Sequence, residues 1–164
     1  MLVSESVSAV LKPHRKPKRF SRTVVQRARR STLRGETLEE RDLLETICME
    51  IRSSGKMSNK QEDTLLEKFS ERFDKAKDTV KAKRVKKRVF SPSGRVIWVV
   101  KGRKGNYQVI PNLNFCSCND FYFRVMSGKK QVCYHLIAQK LADVLDIFVL
   151  EEASDREYKA IRKR

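Results

Sequence analysis

Cysteine and histidine are scarce in this chain, four and two among 164 residues. Yet three cysteines and one histidine fall within FCSCNDFYFRVMSGKKQVCYHL, residues 115–136. They form two pairs, Cys116-Ser117-Cys118 and Cys133-Tyr134-His135, with fourteen residues between them. Three chemistries compete for such a set: a tetrahedral zinc ion held by three thiolates and an imidazole, a dithiol redox pair, or small residues buried with no shared task. Geometry favours zinc. Residues two apart on an extended strand point to the same side, so Cys116 and Cys118 can aim both sulfurs at one ion. Inside a regular helix, residues two apart point nearly opposite ways, so Cys133 must precede a helix that carries His135 in its first turn. A redox dithiol more naturally uses Cys-x-x-Cys at a helix N-terminus, and closing Cys-x-Cys into a disulfide is strained. Four ligands leave no open coordination position, so a single structural Zn2+ is expected.

The elements that must carry these pairs are legible on both sides. RVKKRVF and RVIWVVKG flank SPSG, a Pro-then-Gly hairpin signal, and Val96 to Val100 is a short β-branched run. KGRKGN makes another turn, YQVI a third strand, and PNLN breaks it before Cys116. Asp120 is placed to cap a short helix carrying Phe121, Val125 and Met126, which Gly128 ends. A last helix begins near His135 with Ile137, Leu141, Val144, Leu145 and Phe148 on one side. Upstream, TLEERDLLETICMEIR opens with a capping box of Thr37 and Glu40, then sets Leu44, Ile47, Cys48 and Ile51 at helical spacing. Cys48 lies on that apolar stripe and reads as core. A second helix starts at Ser58, with Gln61 three positions on, and lines up Leu65, Leu66, Phe69 and Phe73. The expected fold is therefore α+β, a three-stranded antiparallel meander followed by a C-terminal helix. Its expected parts are a basic disordered tail (1–35), a helical hairpin (36–82), a zinc-binding domain (83–152) and a charged, frayed tail (153–164).

The order Cys-x-Cys, spacer, Cys-x-His resembles the SWIM zinc finger. The hairpin VFSPSGRVIWVVKG before the first pair, the aromatic CSCNDFYFRV after it, and CYHLIAQKLADVL running from the second pair into a helix resemble it too. Asn119 and Tyr134 stand where the family commonly has proline and lysine, and neither is a ligand. Within the family, SPSGR, the aromatic stretch and the leucine-containing final helix look most like the SWIM subunit of Shu-type homologous-recombination accessory complexes and its archaeal relatives. The similarity covers residues 85 to 150. It implies a DNA-binding or protein-binding accessory role in recombination and repair, with a RecA-family recombinase paralogue as partner.

Charge points towards a polyanion independently. Thirty-seven Lys and Arg against twenty Asp and Glu give a net charge of +17, which favours nucleic acid through counterion release. The alternative is a solubilising charge without a partner, but the charge is segregated. Lys12 to Arg34 hold ten cations and no acid, as in a tail that orders on phosphates or, alternatively, an organellar leader. A second basic run spans Lys75 to Arg88. Candidate phosphate contacts are Lys86, Lys87 and Arg88, then Lys101, Arg103 and Lys104 on one turn, and Lys129 and Lys130; Tyr107 or Tyr134 could stack a base. Single-stranded or recombination-intermediate DNA is the preferred ligand, with structured RNA of a ribosomal or transcription assembly as the alternative. There is no glycine-rich phosphate loop, serine elbow or distinctive acidic pair, so binding is expected rather than catalysis, with no small-molecule substrate. No apolar run approaches the roughly 18 residues of a membrane span, and the cysteine usage fits an intracellular, reducing compartment.

Overall fold

The computed structural model describes residues 39–162. The basic tail and Thr37 lie outside the described residues. Helix α1, Glu40–Ser54, buries Leu44, Ile47, Cys48 and Ile51, the apolar stripe of the sequence. Gly55 ends it at φ 73°, donating its N–H to the Ile51 carbonyl. Helix α2, Asn59–Phe69, starts with both halves of the Ser58–Gln61 capping box in place.

Two helices were expected before the sheet, and the described residues form three. The chain turns at Ser70, φ 49°, and continues as α3, Glu71–Lys81. A straight helix would have kept Phe69 and Phe73 on one stripe. The corner instead lets α3 lie along the helix that follows the metal cluster, burying Phe73, Ala76 and Val80. Tertiary burial here overrides local helical continuity.

The described residues form one sheet of five strands. Strands β1 (Val85–Ser91), β2 (Arg95–Lys101) and β3 (Asn106–Ile110) form the antiparallel centre, in register Val85↔Val100 and Trp98↔Val109. After a single turn at Pro111–Leu113, the short β4 (Phe115–Cys116) adds to β3. Helix α4, Tyr134–Leu145, then crosses over, and β5 (Val149–Ser154) pairs with β1 in parallel, giving the order β4-β3-β2-β1-β5. A parallel neighbour requires such a crossover. The expected three-stranded sheet is thus two strands short: β4 is only two residues long, and VLEEAS carries two consecutive glutamates. Phe148, expected on the last helix, lies past its end and meets Trp98 edge to face at 5.1 Å. Nor is the C-terminal stretch a frayed tail. Asp155–Arg162 forms helix α5, tied to the β1–β2 turn by Ser93–Asp155 hydrogen bonds and by Tyr158 against Phe90.

One core runs through all of this. Leu44, Ile51, Phe69 and Phe73 from the first three helices meet Val85, Val100 and Val109 of the sheet around α4. Every residue of α4 from His135 to Ala142 is buried. Glu40, expected in a capping box, instead receives a bidentate pair from Arg72 (2.6 and 3.0 Å) and the Gln131 backbone N–H. The Arg72 guanidinium also donates to the Val132 carbonyl at 2.9 Å, so α1, α3 and the segment before Cys133 share one knot. Burial raises the Glu40 carboxyl, but these hydrogen bonds outweigh it and hold its pKa below the ordinary value. A depressed carboxyl contributes stability above its unfolded pKa and loses it as pH falls through the folded one. Arg72→Ala should cost about 1.5–3 kcal/mol near neutrality. The deficit should shrink as Glu40 protonates in acid; a pH-independent deficit in urea melts would contradict this account.

Candidate metal centre

Each ligand candidate is placed by a different local rule. Cys116 ends β4, paired with Val109. Past it, the Ser117 backbone N–H donates to the Gln108 carbonyl (3.0 Å) and the Gln108 N–H donates to the Ser117 hydroxyl oxygen (2.9 Å). That exchange keeps the chain extended for one more residue, so Cys116 and Cys118 turn to the same side. Between the pairs, Phe121–Val125 forms a wide helical turn closed from the Met126 N–H to the Phe121 carbonyl. Asp120 does not cap it, being itself helical and paired with Arg124. Gly128, φ 75°, ends the excursion. Cys133 is the extended residue before α4, its carbonyl accepting from the Leu136 and Ile137 N–H groups. His135 sits in the first turn.

The four ligand atoms lie within 4.8 Å of one another, and all four residues are buried. Tetrahedral zinc with three sulfurs needs sulfur separations of about 3.8 Å, from Zn–S bonds near 2.3 Å. The set fits that ion. Both ring nitrogens of His135 are buried without a hydrogen-bond partner, a costly state for a polar ring unless an ion takes one of them. The thiols tell the same story. Hydrogen bonds from Cys116, then Cys133, hold the Cys118 sulfur far below the usual thiol range, with the Phe121 N–H donating to it at 3.2 Å. Cys116 is pushed up by donating to Cys118. Cys133 accepts from Cys116, which pulls it down, but its donation to Cys118 and its burial prevail and push it up to about 12. A buried knot of sulfurs that wants negative charge on one member is what a divalent ion resolves for all three.

The walls of this centre come from the two tyrosines. The His135 ring lies between Tyr134 (centroids 3.8 Å) and Tyr107 (4.5 Å). Tyr134 is raised in pKa by burial, with the Arg103 backbone amide beside its oxygen. Both rings pack against His135 and are partly buried, and Tyr134 also lines the cleft that gathers the cations. Gly102 closes the top: a Cβ there would sit 2.6 Å from His135 Nε2 and 2.8 Å from each tyrosine. Sequence reading gave no hint that this position needs glycine, since the requirement arises only from what the fold brings against it.

The cations expected to contact phosphate divide into groups. Lys86 and Arg88 both pair with Glu151 of β5, and Lys87 lies over the Trp98 and Phe148 rings, 5.2 Å from each. Lys104 and Lys129 are exposed. Lys101, Arg103 and Lys130 line one cleft of about 670 Å³ beside the metal centre, between the α2–α3 corner, the β2–β3 turn and the Asp120–Lys130 excursion. The same cleft gathers Lys68, Arg72, Lys75, Arg84 and Arg124 against only Glu71, Asp78 and Asp120. Lys75 pairs with Glu71, Arg124 with Asp120, and Arg72 with Glu40. Lys68, Arg84, Lys101, Arg103 and Lys130 make no ion pair among the described residues. Lys68 escaped sequence reading because it is interleaved with acids on a helix, and only the corner at Ser70 turns it towards Lys101.

A small α+β unit closed by a buried Cys3His centre defines a structural zinc module. Zinc finger SWIM domain-containing protein 7 homolog from Dictyostelium discoideum is 30% identical over 135 residues, spanning 79% of this chain and 84% of that protein. The chain belongs to the SWIM zinc-finger family, and its cofactor is one structural zinc. No family model matches the chain, and no solved structure matches it.

Metal analysis of protein purified without chelator should give about one zinc per chain. Cys133→Ser should abolish retention and lower the melting temperature, since structural zinc contributes on the order of 10 kcal/mol. Because the ligands must shed protons to bind, zinc affinity should fall as pH falls. Gly102→Ala should weaken zinc retention in a chelator competition; wild-type retention there would show that the turn can yield without disturbing His135.

Proposed function

We propose that this chain is a zinc-stabilised accessory factor that binds nucleic acid, DNA in the first instance, in homologous recombination and repair, together with a RecA-family recombinase paralogue. It acts by binding, not catalysis. The observation that carries the nucleic-acid part is the cleft next to the metal centre, where unpaired cations from three separate segments converge. Each would neutralise a phosphate and release counterions. The recombination context rests on the resemblance of SPSGR, the aromatic stretch and the final helix to the Shu-type branch.

The metal has a mechanical part in this reading. When bound, zinc supplies folding free energy and fixes the end of β4 to the first turn of α4. Tyr107, Tyr134 and Gly102 pack on His135, so the β2–β3 turn that offers Lys101 and Arg103 leans directly on a ligand. Losing the ion would release one wall of the cleft. Lys86 and Arg88 share Glu151, which discounts their charge towards a phosphate chain.

Binding to DNA, followed by fluorescence anisotropy at several salt concentrations, should weaken linearly in log-log form. The slope should be about 0.7 per single-strand phosphate neutralised, and Lys101→Glu with Arg103→Glu should reduce it by roughly 1.4. An affinity indifferent to salt would remove the reading. Affinity purification after nuclease treatment, with mass spectrometry, should recover a recombinase paralogue; RNA particles recovered in its place would move the function to RNA.

A further inference from the structure

Resting on that nucleic-acid reading, we propose that Tyr122, Phe123 and Met126 form a base-stacking platform that makes this chain prefer single-stranded over double-stranded nucleic acid. These three large side chains are neighbours on one turn, and each keeps 66 to 69% of its surface exposed. Nothing in the core or the metal centre uses them. Their turn is nevertheless firmly seated. Phe121 is buried edge to face against Phe115, and its N–H is bonded to the Cys118 sulfur. The wide hydrogen-bonded loop from Met126 back to Phe121 lets Phe121 point inward while the next two rings point out. Tyr122 and Phe123 stand perpendicular at 5.3 Å, one edge to the other's face, and both keep most of their surface open to solvent.

Charge identifies the occupant. The turn that exposes these rings also delivers Arg124 to the cationic cleft, and Lys130 follows on the same excursion. A ligand served by both features carries closely spaced negative charges and flat apolar faces on one chain. Single-stranded nucleic acid has that combination, with phosphates along the cleft and bases laid on the outer flank. A duplex presents its phosphates but hides its base faces in the stack, so it gains from the cleft alone. The contact reads no sequence, because every base has a π-face. The rings that flank His135 offer less open surface, since both are partly buried against a metal ligand.

The test uses the full-length, zinc-loaded protein with labelled oligothymidylate and a duplex of equal length. Tyr122→Ala with Phe123→Ala should lower single-strand affinity about tenfold or more, with duplex affinity, zinc content and melting temperature unchanged. Tyr122→Phe, which keeps the ring, should bind as the parent does. Lys101→Glu with Arg103→Glu should weaken both ligands and separates the two readings. If that variant loses binding while the aromatic variant loses none, the cleft stands and the platform falls; if neither variant loses binding, both fall. Equal losses for single strand and duplex would also overturn the platform. So would release of a co-purifying protein with single-strand affinity intact, which would make the surface a protein dock.

Discussion

The contact on which the structure depends is the four-ligand cluster that joins the end of β4 to the beginning of α4. Each side of that junction is weak alone. Strand β4 is two residues long, and the path from Cys118 to Cys133 is a single helical turn followed by irregular chain. Neither could hold a sheet edge against a helix as buried as α4. A metal bound by residues from both sides replaces the apolar area that such a small junction lacks, and it does so without directional give. Three sulfurs and an imidazole, all buried, would otherwise be a defect in the core.

From that junction the rest of the architecture follows. Helix α4 leaves the cluster buried on all sides, with the sheet beneath it and α1 and α3 across it. The helices that precede the sheet in sequence are therefore built into the same core. Arg72 makes the connection explicit, because its guanidinium holds Glu40 of α1 and the carbonyl of Val132, one residue before a ligand. One chain of charge-assisted hydrogen bonds thus ties the helices to the segment that leads into the metal centre.

The same closure distributes the protein's charge. Glu151 on β5 absorbs two cations of β1, while the corner at Ser70 and the β2–β3 turn leave others facing one another across the cleft. Cations that outnumber the acids beside them repel, and the surrounding core holds their segments in place against that repulsion. The binding surface proposed for nucleic acid is consequently a property of the fold and not of any one basic run.

What the sequence determined unaided was local. The ligand pairs are visible because zinc demands a fixed donor set, and extended and helical geometry restrict how donors two residues apart can converge. The α1 stripe, the Ser58 capping box and the β1–β2 hairpin are equally local, each decided by residues within one or two turns of chain. Only the tertiary structure decided the break at Ser70, the parallel strand at Glu151, the need for glycine at position 102, and which lysines face an acid and which face the cleft. The approach of His135 to Gly102 and the Glu151 pairs, the latter more than 60 positions apart, join residues between which periodicity carries no signal. The physical reason is common to all four: burial and electrostatics act through space, and a sequence reveals spatial neighbours only where geometry keeps them neighbours along the chain.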